Sequence, residues 1–174
     1  MADAPDGIVL TRHRDFSGRG HTPWERWVIL AVILVIPALA LVNVFGQRPG
    51  TVVRDASQAS LELYAPAHVR SGLLWQARFT IRAHQDVGKA VLVLHSGWFE
   101  SMTANTIEPS PVEETSVDGS PAFTLGPIAA GDSFTLWLQF QVNPTNVGRR
   151  PQTVVLYDGD RRILTLDRTI SVFP

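Results

Sequence analysis

Hydrophobic and polar positions divide this chain into unlike regions. Residues 1–22 show no apolar period long enough for a stable element. Residues 27–42 run Trp-Val-Ile-Leu-Ala-Val-Ile-Leu-Val-Ile-Pro-Ala-Leu-Ala-Leu-Val without one charged or strongly polar side chain. Beyond residue 60, short stretches alternate apolar and polar with period two between turn residues, which predicts strands. "SLELYAP" puts Leu61, Leu63 and Ala65 on one face, and "LLWQARFTIRA" does the same with Leu73, Trp75, Ala77, Phe79 and Ile81. "SFTLWLQFQV" turns Phe134, Leu136, Leu138, Phe140 and Val142 inward, which leaves Trp137 on the polar side. "KAVLVLH" is apolar on both faces, as a central strand requires. "TVVLYDGDRRILTLDRTISVF" reads as two strands turned at Asp158-Gly159, with Leu164, Leu166, Ile170 and Val172 inward. "MTANTIEP" and "PAFTLG" are weaker strand candidates.

About seven strands in roughly 115 residues suit an all-β immunoglobulin-like sandwich over residues 61–174, preceded by one transmembrane α-helix. The helix is expected over residues 23–46. From Pro23 to Phe45 is 23 residues. At 1.5 Å rise each they reach roughly 34 Å, enough to cross about 30 Å of hydrocarbon. Thr22 is a suitable N-cap, Pro23 fits the first helical position and Glu25 completes a capping box. Trp24 and Trp27 sit where aromatic rings favour the lipid–water interface. Pro37 removes one backbone hydrogen bond and should kink the helix. A core helix of a soluble protein would show a polar face, and this stretch has none.

Ala38-Leu39-Ala40 carries the small-x-small pattern of a signal cleavage site, so a cleaved export signal is the rival reading. The apolar run continues through Leu41, Val42, Val44 and Phe45, which favours an anchor. Arg12, Arg14, Arg19 and Arg26 precede the span, and Arg48 and Arg54 follow it. That bias predicts a cytoplasmic tail over residues 1–22 and an extracytoplasmic C-terminal domain in the cell membrane. Residues 47–60, "QRPGTVVRDASQAS", are polar and aperiodic and read as a linker.

Composition narrows the chemistry. The 174 residues have a formal net charge of −1, so no bulk charge points to nucleic acid. With no Cys there is no disulfide, thiolate nucleophile or blue-copper site. His68, His84, His95 and Met102 show no ligand spacing. No nucleophile elbow occurs, and Gly131-Asp132-Ser133 falls at a turn between strands. Glu113-Glu114 falls in a loop, and Asp158-Gly159-Asp160 lacks the further ligands a calcium loop needs. The expectation is therefore no catalytic residue, no metal and no cofactor. Contact surfaces remain. Trp98, after Gly97 in a loop, and the outward Trp137 are candidate aromatic anchors. Arg149 and Arg150 close a polar loop over residues 143–152.

"FTLGPIAAGDSFTLWLQFQVNP", residues 123–144, resembles the Leu-Gly-x-Ile-x-x-Gly-(Asp/Glu)-Ser segment of bacterial immunoglobulin-like domains, including the CARDB-like group. The resemblance implies that Leu125 and Ile128 plug the core on either side of a turn. It also implies that Gly131 and Asp132 lead the chain into the long strand that follows. It carries a fold and no catalytic residues. The whole layout is also similar to a family of single-pass actinobacterial membrane proteins of unassigned function. The function expected is that of a membrane-anchored, non-enzymatic accessory or interaction subunit. Its partners would be the lipid bilayer and another integral membrane protein. The alternative is a cell-wall carbohydrate-binding module that grips through Trp98 and Trp137.

Overall fold

The computed structural model describes residues 23–42 and 47–174. The chain forms two compact units, Met1–Phe45 and Gly46–Pro174. In the first, helix α1 spans Pro23–Leu41, with Glu25 in its first turn and Pro37 inside it. An acidic group there complements the helix dipole. The window Trp24–Leu41 has a mean hydropathy of 2.0, and none of it is buried. This helix is long and apolar enough to cross a membrane. The Thr22 cap, the N-terminal tail and residues 43–46 lie outside the described residues.

The second unit is an all-β, immunoglobulin-like sandwich of two sheets. Its strands are β1 (Pro49–Asp55), β2 (Ala59–Pro66), β3 (His68–Arg70), β4 (Leu74–Ala83), β5 (Val87–Leu94) and β6 (Met102–Glu108). They continue with β7 (Glu113–Val117), β8 (Ser120–Ile128), β9 (Ser133–Val142), β10 (Gly148–Asp158) and β11 (Arg161–Phe173). One sheet, sheet A, has the order β1-β2-β4-β9-β6, and sheet B has the order β3-β11-β10-β5-β8-β7.

Every strand expected from period two is present, but the expected count was too low. The sheets hold five and six strands. The three that no candidate stretch covered, β1, β3 and β7, are all sheet edges. β7 is exposed throughout and β1 almost so, and β3 spans only three residues. Residues 47–60 are accordingly not a simple linker. Thr51, Val52 and Val53 run antiparallel to Leu63 and its neighbours, from Pro49↔Pro66 to Asp55↔Ser60. β-branched side chains favour that extended backbone. Glu113 and Glu114 lie on edge strand β7, not in a loop, and Lys89 Nζ is 3.8 Å from Glu113 Oε2.

Alternation places the core correctly. Leu61, Leu63, Ala77, Phe79, Ile81, Leu136, Leu138 and Phe140 are wholly buried between the sheets. Leu73 is the exception: it sits in the turn before β4 and is 49% exposed. β5 lies between β10 and β8, and a second buried cluster of Val91, Val93, Ala122 and Val155 covers its outer face. Leu125 and Ile128 are buried on β8. The following turn uses Gly131 at φ 89° and the β10–β11 hairpin uses Gly159 at φ 58°. Both values are in the left-handed region that favours glycine.

A polar knot ties the loops at one end of the sandwich. Gln58 is buried; its Nε2 donates to Asp158 Oδ2 at 2.8 Å and to the Asp86 carbonyl at 3.1 Å, and its Oε1 accepts from Arg161. Asp158 Oδ1 accepts from the Lys89 amide at 3.0 Å. Backbone donation from Lys89, then the Gln58 amide, holds the Asp158 carboxyl below its ordinary value of 3.8. Because the folded state releases this proton more readily than the unfolded chain, the contribution is full above the ordinary carboxylate range. It is lost as pH falls through the depressed folded value. Asp158→Asn, which sets an amide N–H₂ against these donors, should cost about 1–3 kcal/mol at neutral pH. Urea midpoints should show the gap to wild type shrinking below pH 3.8; a gap that stays constant would remove Asp158 from the acid response.

Candidate functional site

Sheet A presents an outward face that carries the most chemistry among the described residues. Period two sends the odd residues of β9 outward, opposite their β4 partners. The pairs are Gln139↔Gln76, Trp137↔Arg78, Thr135↔Thr80 and Ser133↔Arg82. β2 extends the middle row with Tyr64, opposite Arg78, and β6 extends it with Glu108, opposite Trp137. Pairing of β2, β4, β9 and β6 thus aligns Tyr64, Arg78, Trp137 and Glu108 side by side.

Arg78 is the centre of the row. Its guanidinium carbon lies 4.8 Å from the Tyr64 ring centre and 5.4 Å from that of Trp137. One Nη reaches Glu62 Oε1 at 3.4 Å, whereas Nε has no hydrogen-bond partner. With a third of its side chain open to solvent, Arg78 is held in a fixed place by two rings and one carboxylate. Cation–π contact of this kind stiffens a long side chain at modest energy. Trp137 is half-buried by these neighbours and still borders two grooves. The larger, about 560 Å³, is lined by Gln76, Glu108, Pro109, Thr135 and Trp137. The smaller, about 200 Å³, is lined by Gln47, Pro49, Tyr64, Pro66, Gln76 and Trp137. A rigid aromatic and a pre-placed arginine are the side-chain types that carry most binding energy at protein interfaces.

The other contact candidates fare differently. Trp98 is fully buried, not exposed in a loop. A short 3-10 turn over Ser96–Trp98 drops its ring between the sheets, where it meets Phe79 at 5.3 Å, Phe140 at 5.7 Å and Trp75 at 5.9 Å. It follows β5 and lacks any sequence period, so alternation gave no direction for it. The Gly97-Trp98-Phe99 run, apolar directly after a buried strand, was the available signal. Arg149 and Arg150 begin strand β10, paired with Ser171 and Ile170, instead of closing a loop. Arg149 is exposed. Arg150 is committed to its own surroundings: Nη2 donates to Asn146 Oδ1 at 3.2 Å and Nη1 to the Arg149 carbonyl at 3.1 Å. Its Nε lies 3.3 Å from Glu100 Oε1, an ion-pair contact without hydrogen-bond geometry. Trp24 and Trp27 are exposed in the first turns of α1.

Sequence reasoning missed Tyr64, Glu62 and Arg78 because each reads as an ordinary outward position; only register brings them together. It also missed Arg168, on the inward face of β11 between Leu166 and Ile170. Burial pushes its guanidinium down to about 10. The group donates to the Pro66 carbonyl and stands 5.9 Å from the Trp98 ring centre. Among the described residues no cluster of three or more His, Cys, Asp or Glu could hold a metal. His84 contacts Asp55 at 2.8 Å and His95 contacts Ser120 Oγ at 3.2 Å, each as a local pair.

No family model matches the sequence, and no curated protein matches it either. Solved structures with a similar course of chain include the CARDB domain of a Pyrococcus furiosus protein in complex with di-metal ions. It has 12% identity and a TM-score of 0.43, over 72% of this chain and 89% of that one. CaCohA2 from Clostridium acetobutylicum has 15% identity and a TM-score of 0.47, over 68% and 92%. The chitin-binding domain of a Pyrococcus furiosus chitinase has 13% identity and a TM-score of 0.35, over 68% and 98%. These are likenesses of architecture, and what those proteins bind belongs to them.

Proposed function

We propose that the chain is a membrane-anchored, non-enzymatic interaction subunit. Helix α1 serves as the anchor, with the N-terminus cytoplasmic and the sandwich extracytoplasmic. The outer face of sheet A takes a protein partner held in the same membrane. The observation that carries this reading is the Tyr64–Arg78–Trp137 row, an arginine stacked between two rings on an open sheet face. Preplaced side chains reduce the entropy cost of association.

A photo-crosslinker at Gln139, next to this row, should give a discrete adduct in native membranes. One at Thr165, on the outer face of sheet B, should give none. Arg78→Ala with Trp137→Ala should remove the Gln139 adduct. Equal labelling from both faces, or from neither, would end the assignment. The carbohydrate alternative loses one of its two aromatic contacts because Trp98 is buried. Retention of the chain on purified cell wall, abolished by Trp137→Ala, would restore it.

A further inference from the structure

Chain entry, exposed leucines and arginines converge on one end of the sandwich. Gln47 leads into β1 there, and its Nε2 donates to the Leu74 carbonyl at 3.2 Å. Leu73 and Leu74 follow the β3–β4 turn, and both are 49% exposed. The β9–β10 loop lies alongside: Val142 N donates to the Leu73 carbonyl at 3.1 Å, and a Cβ built on Gly72 would stand 3.9 Å from Pro144 Cγ. That loop carries Val147, also 49% exposed. Arg70 pairs with Phe173 and Arg149 with Ser171 at the same end, and both arginines are exposed. The opposite end carries Asp86, Asp132, Asp158 and Asp160 together with Lys89, Arg161 and Arg162.

Leu73 in the turn and Leu74 at the start of β4 bring two adjacent, half-exposed apolar side chains to this end. Arginines flanking such a patch are what an anionic bilayer surface selects. Covalent reach fits the same occupant. Seven residues separate Leu41, the end of α1, from the first residues of β1 at Pro49. Extended, they span at most about 25 Å. The tether therefore keeps the entry end within reach of the bilayer surface if α1 is inserted.

We propose that this rim — Leu73, Leu74 and Val147 with Arg70 and Arg149 — is a docking site for anionic phospholipid headgroups. The leucines enter the interfacial layer and the guanidiniums bind phosphate oxygens. The site rests on the anchor reading for its supply of lipid, and of its residues only Leu74, four positions before Arg78 on β4, belongs to sheet A.

The test uses the full chain in phosphatidylglycerol vesicles and in phosphatidylcholine vesicles, read by amide exchange over residues 70–74 and 144–149. Exchange should slow in phosphatidylglycerol alone. Each arginine should contribute about fivefold to the docked-to-free ratio. Arg70→Gln with Arg149→Gln should therefore restore the phosphatidylcholine pattern, and so should salt near about 1 M. Leu73→Ser with Leu74→Ser should also abolish the protection. Unchanged exchange in phosphatidylglycerol, in a chain that resists carbonate extraction, would overturn the rim. A chain that carbonate strips from the vesicles, with its loops still protected beforehand, would overturn the anchor and keep the rim.

Discussion

Replacing Trp98 with alanine should lower the stability of the sandwich by about 3–5 kcal/mol, the range for deleting a buried aromatic ring. Its ring touches three others, Trp75, Phe79 and Phe140, and has no accessible surface. Those neighbours belong to β4 and β9, whose backbone register is fixed over nine paired positions, so the cavity cannot readily collapse. Trp137→Ala, on the outer face, should cost about 1 kcal/mol or less, because it loses partial burial and one cation–π contact. A typical domain has only 5–15 kcal/mol in total. Urea unfolding of the chain in micelles, followed by far-UV circular dichroism, separates the two. If the two substitutions proved equally costly, Trp98 would not be the hub of the core.

Gly97→Ala should be nearly as damaging. A Cβ at that position would lie 1.7 Å from the Pro151 carbonyl oxygen and 2.8 Å from its carbon. Both are backbone atoms of β10, so no side chain can swing aside. Either the 3-10 turn lifts off the strand or the strand bends, and both pull Trp98 out of place. Overpacking costs typically 1–3 kcal/mol, and contact with backbone sets this site at about 3. The melting temperature should drop by about 10 °C for a unit of this size. Gly50→Ala is the control: nothing lies within 4 Å of the added carbon. Indistinguishable melting curves for the two variants would show that the turn does not rest on β10.

What the sequence revealed follows from where burial was one-sided. β2, β4, β9 and β11 each have one covered face, so alternation exposed their span and their inward residues. β5 is buried on both sides and its continuous apolar run said so. β1 and β7 have no continuous buried face, and no pattern marks a strand that is held mainly by backbone hydrogen bonds. The contact row on sheet A was half legible. Alternation placed Trp137 outward, but Arg78 and Tyr64 become its neighbours only through the register of β2, β4 and β9, which no single strand encodes. Trp98 went the other way because a loop residue has no period to read, and its burial depends on the space that Gly97 leaves.

The pairing of β1 along β2 also has a mechanical consequence. The chain enters at Pro49, and seven consecutive positions then pair in register through to Asp55. A tug on the incoming segment along the strand axis, with the sandwich held by its face, loads all of those rungs in shear at once. Peeling them singly would require a sideways force. Loaded in that way, the strand resists unravelling from its N-terminal end.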